Sequence, residues 1–149
     1  MKIRLWVVGR GNPALAAYEA EFRKRLGAFA DVQVGELPEG RSKQLSQRRQ
    51  EEGRQILQKA AKGFVLFDER GKLLASHDWA GRLQQLPGDG CLDLVIGGAG
   101  GISDEVRAAA GDCWSLSKLT LPHQLVRVMV LEQLYRAFTI LKGHPYHRE

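Results

Sequence analysis

Cysteine is scarce in this chain of 149 residues, which holds only two. Cys91 and Cys113 lie far apart and form no Cys-x-x-Cys, so neither a zinc framework nor a disulfide scaffold is expected. Long apolar runs are missing too. The most apolar stretch, Val126 to Leu134, is interrupted by Arg127 and Glu132 and falls well short of the ~20 residues that span a bilayer. The N-terminal run from Lys2 to Val8 ends too soon to act as a secretory signal. A membrane partner and a bound metal are therefore not expected. The expected compartment is the cytoplasm, with both thiols reduced. The 17 glycines follow no period, which excludes a collagen-like repeat. Apolar clusters recur throughout, which excludes disorder of the bulk.

What is present is the composition of one globular domain, 1–149, with 44% hydrophobic and 26% charged residues. Lysine and arginine number 22 against 17 acids, a net charge of +5 that leans towards a polyanion partner. Ile3 to Val8 reads as a strand of branched and aromatic residues. Asn12-Pro13 then offers an N-cap and a first-turn proline for a helix carrying Leu15, Tyr18, Phe22 and Leu26. Val32 to Leu37 is a second strand. Arg41 to Lys62 reads as a long amphipathic helix with seven basic and two acidic residues, frayed over Arg41 to Gln44.

Phe64 to Phe67 is a short buried strand whose exit loop is Asp68 to Lys72. Ser76 is placed to cap a helix bearing Trp79, Leu83 and Leu86. Leu92 to Ile96 is almost continuously apolar, as in a sheet covered on both faces. A helix follows from Ser103 through Ala110, then a short strand at Trp114 to Leu116, a loop from Ser117 to Pro122 and a long helix from His123 to Leu141. Strands alternating with helices predict an α/β fold with a mostly parallel sheet. The last helix carries apolar residues nearly all round. That predicts cover from a second copy of the chain, and so a homodimer.

Four regions have the composition of a working surface. Gly97-Gly98-Ala99-Gly100-Gly101 follows a buried strand directly. At the carboxyl end of a strand such a loop cradles a ligand, or it is a tight turn with spare glycines. It lacks the third glycine and the distant acid of a dinucleotide site, and no Gly-Lys-Ser/Thr follows. Gly-x-Ser-x-Gly is absent. The second region is Trp114 to His123, rich in hydroxyls and small apolar residues. It would suit a purine ring or serve as a plain connection. The third is the tail. His144, Pro145, Tyr146, His147 and Arg148 are either a frayed end or a surface for stacking on bases and touching phosphate. The fourth is the basic run from Arg41 to Lys62, a solvated helix face or a contact for phosphates.

Taken in order, several motifs resemble the RlmH family of small bacterial SPOUT-class methyltransferases, which act on large-subunit rRNA. They are Leu94-Val95-Ile96 with its glycine loop, Trp114-Ser115-Leu116-Ser117, Leu119-Thr120-Leu121-Pro122-His123, Leu125-Val126-Arg127, Glu132-Gln133-Leu134-Tyr135-Arg136-Ala137 and His144-Pro145-Tyr146-His147-Arg148. The resemblance covers the whole chain. It implies a mostly parallel sheet flanked by helices, a deep C-terminal trefoil knot and a homodimer. The implied reaction is methyl transfer from S-adenosylmethionine to N3 of a pseudouridine in 23S rRNA, on the assembled ribosome. Three loops would hold the cofactor: the strand end at Phe67, the glycine loop at Gly97, and Leu116, Ser117, Lys118, Leu119, Thr120 and Leu121. Tyr146, His147 and Arg148 would meet the RNA, with His147 and Arg148 catalytic. The chain departs from the family where Ala99-Gly100 replaces an acid of many relatives, and where Phe67 replaces a frequent leucine. No catalytic base is assigned to the glycine loop. A SPOUT enzyme acting on tRNA and a non-catalytic ribosome-binding factor are the alternatives. The first usually needs an added RNA-binding domain, and the second has no use for a cofactor cradle.

Overall fold

The computed structural model describes residues 1–148; Glu149 lies outside the described residues. Five parallel strands form one sheet in the order β2-β1-β4-β3-β5. They are β1 (Lys2–Val8), β2 (Asp31–Leu37), β3 (Val65–Leu73), β4 (Cys91–Ile96) and β5 (Asp112–Ser115). The helices are α1 (Ala16–Leu26), α2 (Leu45–Lys59), α3 (Ser76–Gln84), α4 (Asp104–Ala109) and α5 (His123–Leu141). Among the described residues no helix is long and apolar enough to cross a membrane.

Period-two alternation sends the strand side chains to two cores. Ile3, Leu5, Val7, Val65, Phe67, Leu94 and Ile96 join α1, α3 and α5 on one face. Val8, Leu66 and Val95 join Ile56 of α2 and Val106 of α4 on the other. Both faces are covered, as the apolar run in β4 requires. Gly35 of β2 has a steric reason: a Cβ there would come 2.4 Å from the Trp6 ring.

Most element ends agree with the local chemistry. Asn12 Oδ1 accepts the Ala14 N–H at 2.9 Å and starts a 3-10 turn that leads into α1. Ser103 caps α4. Gly143, at φ +68°, terminates the last turn after α5. Three expectations are corrected. The basic helix is shorter than Arg41 to Lys62, because Glu51 and Glu52 accept the Arg41 and Gly40 N–H groups and hold those residues in a loop. Ser76 is the first helical residue and not the cap; Asp78 accepts the Ala75 N–H at 2.7 Å, while the Ser76 hydroxyl donates to Gln133. The stretch Asp68 to Lys72 belongs to β3. The strand bulges there and rejoins β5, so that Phe67 and Lys72 both face Trp114. Gly71 permits this, since a Cβ would stand 2.7 Å from the Cys113 carbonyl. Lys72 is tied to Asp112 at 3.3 Å.

Candidate functional site

Parallel strands place all their carboxyl ends on one edge, and there the chain forms an open cleft of about 220 Å³. Three loops build it. The end of β3 supplies Phe67, Asp68 and Glu69; the loop after β4 supplies Gly97, Gly98, Ala99, Gly101 and Ile102; the loop after β5 supplies Leu116, Ser117, Leu119, Thr120 and Leu121. His123 and Val126 of α5 close one side. Every loop residue expected at the cofactor is therefore in one place except Lys118, which does not line the cleft.

The glycine loop is held tightly on three sides. A Cβ on Gly97 would lie 2.3 Å from Ile102 Cδ1, and one on Gly98 would lie 2.9 Å from Glu52 Oε1. Gly101 has φ +94° and donates its N–H to the Gly98 carbonyl at 3.1 Å. Arg49 Nε donates to the Gly100 carbonyl at 2.5 Å. Glu52 is itself buried, with Oε2 accepting from Gly40 and Oε1 accepting from no group among the described residues.

The hydroxyls after β5 are used to fold their own loop. Ser115 Oγ donates to the Ser117 carbonyl at 2.7 Å, and Ser117 Oγ accepts the Leu119 N–H at 3.0 Å. Thr120 Oγ1 donates to Glu69 Oε2 at 3.1 Å, joining the β3 and β5 loops across the cleft. Asp68 pairs with Arg107. What faces a ligand is main chain, an apolar wall of Phe67, Ile96, Leu116, Leu121 and Val126, and two carboxylates at the rim. A purine ring and a cationic group fit that combination.

The loop after β1 is fixed beside the cleft by α5. Buried Arg127 donates to Glu19 and, at 2.8 Å, to Glu36, and Glu36 also accepts the Gly11 N–H at 3.0 Å. Burial by itself would raise the charge's cost on Arg127, yet its bonds to the two carboxylates hold its pKa above the ordinary value. Gly9, at φ +92°, sits where a Cβ would be 3.4 Å from His123 Nε2 and 2.9 Å from Glu39 Oε1. Sequence reasoning missed Asp68, Glu69, Ile102 and Val126 as lining residues, whereas His123 closed the second candidate region. Their one signal was adjacency to strand ends and to the start of α5.

The tail is seated, not frayed, and it does not line the cleft. His144 N donates to the Thr139 carbonyl at 2.9 Å. The Tyr146 hydroxyl donates to Glu132 Oε1 at 3.0 Å, and its ring meets Tyr135 edge-on with centroids 4.8 Å apart. Burial first and the Glu132 bond second push the Tyr146 hydroxyl up to about 12. Arg136 stacks over Tyr146 and bonds Glu132, and its Nη1 lies 3.2 Å from His147 Nδ1. A guanidinium can only donate, so Nδ1 accepts and the ring proton of neutral His147 sits on Nε2. That Nε2 is buried with no partner among the described residues. Arg148 is exposed.

The chain matches the family described as "Predicted SPOUT methyltransferase" over residues 1–147. It is similar over 100% of both lengths to proteins named ribosomal RNA large subunit methyltransferase H from Hydrogenovibrio crunogenus, at 40% identity, and Thioalkalivibrio sulfidiphilus, at 41%. A protein of the same name from Chelativorans is 49% identical over 119 residues, covering 78% of this chain and 69% of that protein. Among solved structures, a probable methylase family protein from Haemophilus influenzae matches with a TM-score of 0.53 over 95% of this chain and 66% of that one. At 13% identity that likeness speaks for the fold alone.

Proposed function

The chain belongs to the SPOUT methyltransferase family, and from this premise we propose that it methylates large-subunit rRNA, at N3 of a pseudouridine, on the assembled ribosome in the cytoplasm. The observation that carries the reading is the convergence of Phe67, Gly97 and the Leu116–Leu121 loop on one cleft, beside acids that suit a cationic methyl donor. S-adenosylmethionine is the donor we assign; it supplies an electrophilic methyl group on a positive sulfonium. Phe67, Leu116, Leu119 and Leu121 would enclose the purine, with the main chain at Gly97, Ser117 and Thr120 reading its edges. The glycine loop would bring the reacting atoms in line, which is catalysis by positioning.

In the transfer the pseudouridine N3 loses a proton, the carbon–sulfur bond breaks and a carbon–nitrogen bond forms. We assign the proton to His147 and the phosphate or developing charge to Arg148. In its seat His147 has no free acceptor, so it becomes a base only when Arg136 releases Nδ1. The seat lies near Glu132 and Arg136, roughly 14 to 20 Å along α5 from His123 at 1.5 Å per residue. A homodimer answers that gap: the tail of one subunit would meet the cleft of its partner, and the partner would supply a second basic surface. One subunit already covers much of α5, where Leu125, Val126 and Met129 remain half-exposed for a partner. The whole chain would act as a single catalytic domain. Its return from edge strand β5 across the strand ends to α5, which holds Glu19 and Glu36, is the segment we read as the knot.

The test is methyl transfer from labelled S-adenosylmethionine. Label is expected in 23S rRNA when ribosomes are the substrate, and none when the substrate is tRNA. Label in tRNA, or none in either, would overturn the assignment.

A further inference from the structure

The basic run before and within α2 has a structural peculiarity. Its two acids, Glu51 and Glu52, are turned inward to accept the main-chain N–H groups of Arg41 and Gly40, at 2.8 and 2.9 Å. Among the described residues neither acid forms an ion pair with the neighbouring cations. Among the described residues Arg41, Lys43, Arg48 and Arg54 form no ion pair, and they lie together on one segment. Unpaired cations at this density are a ready contact for a polyanion.

Their place matters more than their number. The glycine loop has two sides. Gly98, Ala99 and Gly101 face the cleft. Gly100 faces α2, where a Cβ on it would stand 2.9 Å from the Arg48 guanidinium, and where Arg49 holds its carbonyl. The wall between cleft and cations is thus one loop thick. A nucleotide whose base reaches the methyl donor across the glycine loop would lay its flanking phosphates beside these cations.

Resting on the rRNA reading above, we propose that Arg41, Lys43 and Arg48 form the surface that takes the sugar–phosphate backbone next to the target nucleotide. Arg49 stays on Gly100 and couples that surface to the glycine loop. Arginine forks match phosphate oxygens in pairs, and such contacts fix register without reading sequence.

The triple variant Arg41→Gln, Lys43→Gln, Arg48→Gln tests this on the full chain. Arg23→Gln with Lys24→Gln, on α1 at the opposite face, is the control for lost charge. Binding to ribosomes and to protein-free 23S rRNA is measured across a salt series, with calorimetry of S-adenosylmethionine alongside. The triple variant is expected to weaken binding to both roughly tenfold or more, and to flatten the plot of log affinity against log salt by about 2, at ~0.7 per lost phosphate contact. Cofactor affinity should stay at the wild-type value, and the control should keep the wild-type slope. A wild-type slope in the triple variant, or an equal loss in the control, overturns the surface and leaves the methyltransferase reading standing. Loss on ribosomes alone, with protein-free rRNA bound normally, also overturns it and points to an acidic protein. A wild-type chain that methylates neither substrate fails the rRNA reading itself.

Discussion

The cleft and the tail are built on opposite plans. The cleft is held by the main chain: a positive-φ glycine, a loop closed by its own serines, and glycines with no room for a Cβ. Beyond one main-chain bond from His144 to Thr139, the tail is held by side chains on α5: one hydroxyl on Glu132, one guanidinium on His147, one ring on Tyr135. A main-chain cradle suits a ligand of fixed shape that always sits alike. A side-chain seat is easily left, because each of its bonds has an equivalent in water or on RNA. The division fits an enzyme that keeps its methyl donor in a rigid slot and meets a large substrate with a movable part.

The sharpest way to break this contrast is to remove the tail. Deleting residues 145–149 should leave S-adenosylmethionine affinity near the wild-type value and lower methylation of ribosomes by on the order of 10²–10⁴-fold, the range for a lost general acid or base. Calorimetry and single-turnover labelling measure the two separately. Equal losses in both would show that tail and cleft are one unit.

The converse change is Gly97→Val. Its Cβ would press on the tip of Ile102, a flexible side chain, and the Gly97 backbone is not in the left-handed region. The fold should survive, with the melting transition shifted by no more than a few degrees. Cofactor affinity should drop by at least ~30-fold, about 2 kcal/mol. Unchanged affinity would mean that the glycine loop does not touch the donor.

Much of this was legible in the sequence where the cause is local. Asn12-Pro13 and Ser103 mark element starts through their own backbone chemistry, and α5 begins at His123 just after Pro122. The almost continuous apolar run of β4 announces a sheet buried on both faces. What escaped are pairings between distant positions. Nothing near Glu51 and Glu52 says that they will bind a loop ten or twelve residues earlier. Nothing near Asp68 says that a charged stretch will bulge and resume as strand. The tail looked undecided because its seat is made by α5 residues already accounted for as helix.

Tyr146 gives a finer test of the seat. Its hydroxyl, raised to about 12, is held neutral by burial and by Glu132. A raised pKa on an acid stabilises the seat fully below the ordinary tyrosine pKa of ~10, and that contribution is lost as pH climbs through 12. Ultraviolet titration should show one of the three tyrosines ionising late, and Tyr146→Phe should remove that late step. The variant should weaken the seat by about 1.5–3 kcal/mol, the size of a bond to a charged acceptor. Faster amide exchange at His144 and Tyr146 would report it. A late tyrosine that persists in the variant would assign the step elsewhere.

The smallest expected effect lies in the cleft itself, at the bond from Thr120 to Glu69. It joins two loops that sequence places 51 positions apart, and both partners are exposed at the rim. Water competes for each, so the bond should contribute only ~0.5–1.5 kcal/mol. Thr120→Val keeps the shape and removes the donor. It should raise the dissociation constant for S-adenosylmethionine about two- to tenfold and leave the turnover of saturated enzyme alone. Glu69→Gln restores a neutral acceptor for Thr120 and so separates two roles. If Glu69 merely clasps the loops, the Gln variant behaves as wild type. If its charge also draws the cationic donor, affinity falls in the Gln variant as well, and falls more at low salt than at high. A tenfold loss of turnover in Thr120→Val would instead mean that the two loops must be locked for the transfer step. The cleft would then share the movable role proposed for the tail.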